Sequence, residues 1–269
     1  MREPVDGAAG AQRMTLPHEF RARLRRGDLL VGTMITLTAP EVAELLAEVG
    51  FDWLFIDAEH GIFEAGEIQA VLQGAGATTP GVVRVSTADE VPIKKALDVG
   101  AAGIIVPQVN SAEQAERVVR WAKYAPAGSR GVGIGRAHRY GLQLRDYMQT
   151  ANERIAVIIQ AEHIDAVKNM EAIVGVPGID AVLIGPYDLS ASLGKLGHVD
   201  HPDVIQAIDQ VTTVCGAAGV RLGIFGVSAE AVQPYIERGY TLIVAGVDTL
   251  LLGQAASGLL TQLKIPREP

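Results

Sequence analysis

Residues 155–188 read IAVIIQAEHIDAVKNMEAIVGVPGIDAVLIGPYD. Two apolar runs, 155–160 and 179–184, enclose a segment, 165–174, whose apolar positions recur at helical spacing. Neither run alternates apolar with polar residues, so neither reads as a strand with one wet face. A continuous Ile/Val/Leu run fits a parallel strand whose outer face is covered by helices. Each run also stops at polar residues. The first ends in Gln160, Ala161, Glu162 and His163, the second in Gly185, Pro186, Tyr187 and Asp188.

Outward from this unit the same alternation repeats. Further strands are predicted at 30–35, 53–56, 81–85, 102–107, 221–225 and 241–244. Helices are predicted at 39–49, 64–73, 91–99 (closed by Gly100), 111 to about 124, around Leu189, and at 203–218, 229–239 and 249–263, with a short charged helix at 16–26. Only 125–147, rich in Gly and Arg, breaks the rhythm, and a loop of that length inside a compact domain is usually functional. Eight strand–helix units favour closure into a (β/α)8 TIM barrel over an open doubly wound sheet. The 269 residues match the roughly 250 of one such barrel. The expected organisation is a flexible N-terminus, 1–13, followed by a single barrel domain, 14–269.

Composition narrows the function. Hydrophobic residues make up 48% and charged residues 20% of the chain, which excludes a largely disordered protein. The net charge is −8 with scattered Lys and Arg, so no clustered basic face is offered to nucleic acid. A single cysteine, Cys215, excludes an intrachain disulfide framework and reads as a small buried side chain. Residues 1–13 carry no apolar signal region, and no apolar stretch reaches about 18 residues. The expectation is a cytoplasmic protein with no membrane partner.

In a barrel, chemistry belongs at the C-terminal ends of the strands. Asp57-Ala58-Glu59-His60-Gly61 follows the strand at 53–56, and Arg84 lies near the end of the next. Glu162 leaves a strand that is otherwise largely apolar, so its carboxylate needs a partner, either a cation or an ion pair with Arg84 or Arg130. Asp188 is either a helix N-cap or a second ligand. Two carboxylates from adjacent strands, with positions left for water and ligand oxygens, suit Mg²⁺ or Mn²⁺, with Co²⁺ or Zn²⁺ as further candidates. His60, beside that site, is the candidate general base. His163 leaves the strand on the opposite side from Glu162. The lysines, Lys94, Lys95, Lys123, Lys168, Lys195 and Lys264, all fall in predicted helices or loops, which argues against a Schiff-base enzyme. No H-E-x-x-H helix, Gly-rich phosphate loop or G-x-S-x-G elbow is present.

Together, DAEHG (57–61), VPQV (106–109), YAPAGSRGVG (124–133), IIQAEH (158–163) and IGPYDLSASLG (184–194) resemble the HpcH/HpaI family of class II pyruvate aldolases over about residues 30–260. The resemblance implies His60 as catalytic base, Asp98 as the carboxylate paired with it, and Arg84 as the group stabilising an enolate. It implies Glu162 and Asp188 as metal ligands and Gln160 as a contact to pyruvate. The implied reaction is reversible cleavage of a 4-hydroxy-2-oxoacid to pyruvate and an aldehyde, with a 2-oxoacid decarboxylase or CoA-ester lyase on the same site as the alternative. Tyr187 stands where several relatives carry a small residue that touches substrate, and Ala161 where a larger apolar residue is common. Both departures bear on substrate size. The Arg-bearing loop at 130–140 is a candidate for holding the aldehyde's distal carboxylate or hydroxyls. The segment 249–263 is apolar around much of its circumference, as if buried by a second subunit. The resemblance implies a homohexamer, a trimer of dimers exchanging this final helix.

Overall fold

A computed structural model describes residues 19–263. Eight parallel strands, β1 (Leu30–Ile35), β2 (Trp53–Asp57), β3 (Gly81–Arg84), β4 (Gly103–Val106), β5 (Ala156–Ala161), β6 (Ala181–Ile184), β7 (Arg221–Gly226) and β8 (Leu242–Val247), pair in sequence order. The pairing of β1 with β8 closes the barrel. Because successive side chains in a strand point to opposite faces, each apolar run supplies two cores. Trp53, Phe55, Val82, Ile105, Ile158, Leu183 and Leu242 fill the lumen. Their sequence neighbours, among them Leu54, Ile56, Val83, Ile104, Ile159 and Val182, pack under the outer helices with Cys215.

The lumen is closed at its N-terminal end by the helix Phe20–Arg26. Phe20 and Leu24 are buried beneath Trp53, with the Phe20 and Trp53 ring centroids 5.7 Å apart. Arg21 locks the plug, its Nε donating to both carboxylate oxygens of Asp180 at 2.9 and 2.8 Å. Gly32 leaves room for the Trp53 indole, since a Cβ there would lie 2.6 Å from it. Residues 16–18 of the expected first helix, the expected flexible segment 1–13 and Lys264 lie outside the described residues.

Two elements differ from expectation. The segment 125–147 is not one long loop: a 3₁₀ turn, Arg136–Gly141, leads into a helix, Leu144–Arg154. Ala151 is the only fully buried residue of that helix, so it has almost no apolar stripe by which periodicity could reveal it. The helix expected at 165–174 is two short ones, Ile164–Lys168 and Met170–Val174, interrupted at Asn169.

The last helix, Asp248–Gln262, packs on β1 and β8, and Asp248 at its start is its one buried residue. There the Asp248 carboxylate accepts from Thr36 N and Leu37 N at 2.9 Å each, and from Thr36 Oγ1 at 2.7 Å. Beyond that anchor Leu250, Leu251, Leu252 and Leu259 are all exposed, as is Leu263 next to them. No helix among the described residues is long and apolar enough to cross a membrane.

Candidate active site

The polar residues of the barrel mouth follow from strand register. Asp57 and Arg84, the last residues of β2 and β3, are partners across that strand pair. Each shares the inward parity of Phe55 and Val82, so both side chains enter the lumen. They form a bidentate pair, Arg84 Nε to Asp57 Oδ1 at 2.8 Å and Nη2 to Oδ2 at 2.7 Å. Asp57 Oδ1 also accepts from the backbone N–H of Glu59 (3.1 Å) and His60 (3.3 Å), which folds the acidic loop back over the strand end. The third guanidinium nitrogen, Nη1, lies 3.2 Å from Glu59 Oε2. Burial pushes the Glu59 carboxyl above its usual range, against the pull of Arg84.

On β5 the same parity turns Gln160 inward and, one step past the strand, Glu162. Glu162 is 2% exposed and forms no ion pair with Arg84 or Arg130. Its partners are neutral: the Gln108 backbone N–H at 2.8 Å and the side-chain amide of Gln160. Gln108 offers that N–H from a left-handed conformation, φ +54°, a strain of about 1–3 kcal/mol for a residue with a side chain. Burial pushes the Glu162 carboxyl up to about 7, against the Gln108 hydrogen bond and the weaker pull of the Arg84 guanidinium, with the Glu59 and Asp188 carboxylates adding to the rise. Gly185 makes this crowding possible, because a Cβ there would lie 2.8 Å from Gln160 Nε2 and 3.1 Å from Glu162 Cβ. Past that close approach, Tyr187 and Asp188 open the helix Pro186–Ser192.

These elements surround a cavity of about 260 Å³ lined by Asp57, His60, Arg84, Gln160, Tyr187 and Asp188, with Met34, Phe55, Leu183 and Phe225 as its apolar wall. The His60 side chain is 66% exposed, with Nε2 3.8 Å from Glu59 Oε2. His163 caps the following helix, accepting from Asp165 N at 3.1 Å, and does not line the cavity.

Asp98 is not brought to His60 within one chain. It ends the helix Glu90–Asp98, which runs back toward the beginning of β4, so it sits at the opposite end of the barrel. There its Oδ1 accepts from Arg130 Nη2 at 2.7 Å. Arg130 is itself sandwiched by the Tyr124 and Tyr147 rings, at 4.6 and 5.6 Å. Arg136 donates to the Val99 carbonyl at 3.1 Å. Neither arginine reaches the cavity of its own chain, contrary to the expectation that this loop holds the aldehyde's distal group.

Among the described residues no three His, Cys, Asp or Glu side chains form a metal-binding cluster. The donor set at the mouth is nonetheless suited to a hard divalent cation. Among the described residues Glu162 is a buried carboxylate that forms no ion pair, Asp188 is an exposed carboxylate just past the adjacent strand end, and Gln160 Oε1 is a buried acceptor with no hydrogen-bond partner. A cation held by two carboxylates keeps positions for water and substrate oxygens.

Residue-by-residue reading missed what Asp57, Glu59, Met34 and Phe225 do. Asp57 carried a signal, as a carboxylate ending an apolar strand. Met34 and Phe225 carried none, because apolar residues inside strands read as core.

A family model described as HpcH/HpaI aldolase/citrate lyase matches residues 31–255. A 4-hydroxy-2-oxo-heptane-1,7-dioate aldolase from Shigella flexneri is 41% identical over 250 residues, 91% of this chain and 92% of that one. A hydroxypyruvate/pyruvate aldolase from Pseudomonas aeruginosa is 39% identical over 93% of this chain and 95% of its own. The crystal structure of an HpcH/HpaI aldolase/citrate lyase family protein from Burkholderia cenocepacia superposes with a TM-score of 0.89 at 36% identity, covering 92% of this chain and all of that one.

The state of Glu162 would make the binding of a cation there pH-dependent. Its folded-state value, about 7, lies above the ordinary 4.5. Between those values the metal-free fold holds a proton that the unfolded chain releases, so this group's contribution to stability is lost as pH rises through about 7. A divalent cation competes with that proton. Thermal unfolding should therefore show a larger stabilisation by Mg²⁺ or Mn²⁺ at about pH 8 than at about pH 5.5. Equal stabilisation at both would contradict the assignment.

Proposed function

The chain belongs to the HpcH/HpaI aldolase/citrate lyase family, and from that premise we propose a divalent-metal-dependent class II aldolase that reversibly cleaves a 4-hydroxy-2-oxoacid to pyruvate and an aldehyde. The observation that carries this reading is the buried Glu162 carboxylate, which forms no ion pair among the described residues and is hydrogen-bonded to Gln160, itself a wall of the cavity lined by Arg84, Asp188 and His60.

Glu162 and Asp188 would hold the cation, which supplies Lewis acidity toward the carboxylate and keto oxygens of the pyruvyl half. The chain's own residues do the rest. Asp57 grips Arg84 through two hydrogen bonds, so the guanidinium is already oriented when negative charge develops on the keto oxygen. Gln160, through its unpartnered Oε1 and its bond to Glu162, orients the oxoacid end. His60 removes the C4 hydroxyl proton, directly or through one water. As the O–H electrons form the aldehyde carbonyl, the C3–C4 bond breaks and its electron pair becomes the pyruvate enolate. A proton delivered to C3 then completes the methyl group. Decarboxylation of a 2-oxoacid could use the cation and Arg84 but has no need of a base at the cavity mouth, and the position of His60 favours the aldol reaction.

The assembly belongs to the same proposal. The apolar faces of Leu250, Leu251, Leu252 and Leu259 are exposed in one chain, and a patch of that kind is usually covered. The 130–142 loop, which passes Asp98 at Gly133 and Gly135, carries further exposed apolar residues, Val132, Ile134, Tyr140 and Leu142. If Asp98 serves a His60, it does so from a second copy of the chain. We infer a homohexamer, a trimer of dimers, in which the final helix lies on a neighbouring barrel.

Pyruvate release from a panel of 4-hydroxy-2-oxoacids should vanish with EDTA and return with Mg²⁺, Mn²⁺ or Co²⁺; full activity in excess chelator would sink the metal role. His60→Ala should slow cleavage by roughly 10²–10⁴-fold, and a near wild-type rate would assign the base elsewhere. Light scattering should report about six chain masses for a closed trimer of dimers, and a clean monomer would remove the exchanged helix.

A further inference from the structure

Resting on the aldolase reading above, we propose that Glu59 is a positioning residue: its carboxylate fixes the Arg84 guanidinium on the side that Asp57 leaves open, and so sets where charge on the keto oxygen is met. The contact is formed inside one chain and needs nothing from a second copy. Glu59 Oε2 lies 3.2 Å from Arg84 Nη1, and the two side chains are only 18% and 7% exposed. A guanidinium carries five N–H donors in one plane. Asp57 takes one at Nε and one at Nη2, which leaves Nη1 and the other hydrogen of Nη2 for a substrate oxygen. Two hydrogen bonds along a single edge still let the plane rock about that edge. Two contacts oppose the rocking. One is the Phe55 ring, whose centroid is 5.2 Å from Arg84 Cζ, and the other is Glu59 at Nη1. Asp57 Oδ1 also accepts from the backbone N–H of Glu59 and of His60, so the carboxylate that grips Arg84 also sets the loop from which Glu59 reaches back.

Asp57 alone supplies the counter-charge that a buried guanidinium needs. Glu59 adds a second carboxylate, at a cost. Burial pushes its carboxyl above the usual range, and the pull of Arg84 offsets only part of that rise. Oε2 is a buried oxygen with no aligned hydrogen bond among the described residues, so Arg84 holds it by charge. Because the folded-state value lies above the ordinary one, this group's contribution to stability is lost as pH rises through it. Ionised Glu59 at about pH 8 therefore does not support the fold. A side chain kept at such a cost beside reacting groups marks a functional position. The same oxygen lies 3.8 Å from His60 Nε2, so an action through Arg84 has to be told from one through the base.

Exchange of pyruvate's methyl protons, followed by NMR in deuterated water with the intact, Mg²⁺-loaded protein, makes that separation. It passes through the enolate but offers no C4 hydroxyl for His60 to deprotonate. Glu59→Gln should slow exchange and aldol cleavage by the same factor, about 10- to 100-fold, with less change in the KM for pyruvate than in kcat. Glu59→Asp keeps the charge one methylene farther back and should fall between the wild type and Glu59→Gln in both reactions, whereas a role in packing alone would favour the isosteric Gln. Metal-free Glu59→Gln should unfold at the same or a higher temperature than the wild type at about pH 8. Slowed cleavage with intact exchange would place Glu59 on His60 and overturn the proposal. Exchange in Glu59→Gln at or above that in Glu59→Asp, or a loss of activity matched by a fall in unfolding temperature, would overturn it too. If the wild type shows no metal-dependent exchange the aldolase reading fails, and if wild-type exchange is left unchanged by Glu59→Gln only this inference fails.

Discussion

The mouth of this barrel is organised by one unmet electrostatic demand, the buried carboxylate of Glu162. Adjacent strands place Asp57 beside Arg84, and the bidentate pair they form uses the guanidinium that would otherwise neutralise Glu162. For hydrogen bonds Glu162 has a backbone N–H and the amide of Gln160, and Arg84 acts on it only through space. An ionised carboxylate in such surroundings costs several kcal/mol unless it is compensated. Two remedies exist. The group can take up a proton, which is the meaning of its rise to about 7, or it can take a divalent cation. Only the second leaves a site able to withdraw electrons from a 2-oxoacid, and the strain at Gln108 and the close approach of Gly185 both serve to hold Glu162 where that is possible.

A division of labour follows. In the proposed reaction the oxoacid meets polar strand-end residues whose positions are set by register. Beside them Met34, Phe225 and Tyr187 also line the cavity, and their replacement changes the shape and polarity of the pocket without touching Glu162 or Arg84. Such a site can keep one bond-breaking step and vary its partner, as expected where a barrel scaffold carries chemistry on its strand ends and loops.

Much of this was legible in the linear sequence. The run at 30–35 is β1 to the residue, and 53–56 falls one residue short of β2, because strands covered on both faces are unbroken apolar runs. Polar residues interrupting such runs at their C-terminal ends singled out Arg84, Gln160, Glu162 and Asp188 as candidates; Arg84, Gln160 and Asp188 line one cavity with His60, and Glu162 lies behind its wall, bonded to Gln160. Pairings between strands were not legible. The Asp57–Arg84 contact depends on register, which no single strand encodes, and without it Arg84 looks available to Glu162. Asp98 shows the reverse case, since its suggested role came from resemblance alone and the chain holds it against Arg130 at the far end. The helix Leu144–Arg154 escaped because a helix with a single fully buried residue has no periodic stripe to read.

The most direct test of this account is a calorimetric titration of Mn²⁺ into metal-free wild-type protein and into Glu162→Gln at about pH 8, where the carboxylate is ionised. The wild type should bind one ion per chain. The variant should bind more than about a hundredfold more weakly while unfolding at the same or a higher temperature without metal, because an uncompensated buried charge has been removed. Equal Mn²⁺ affinity in the two proteins would contradict the account.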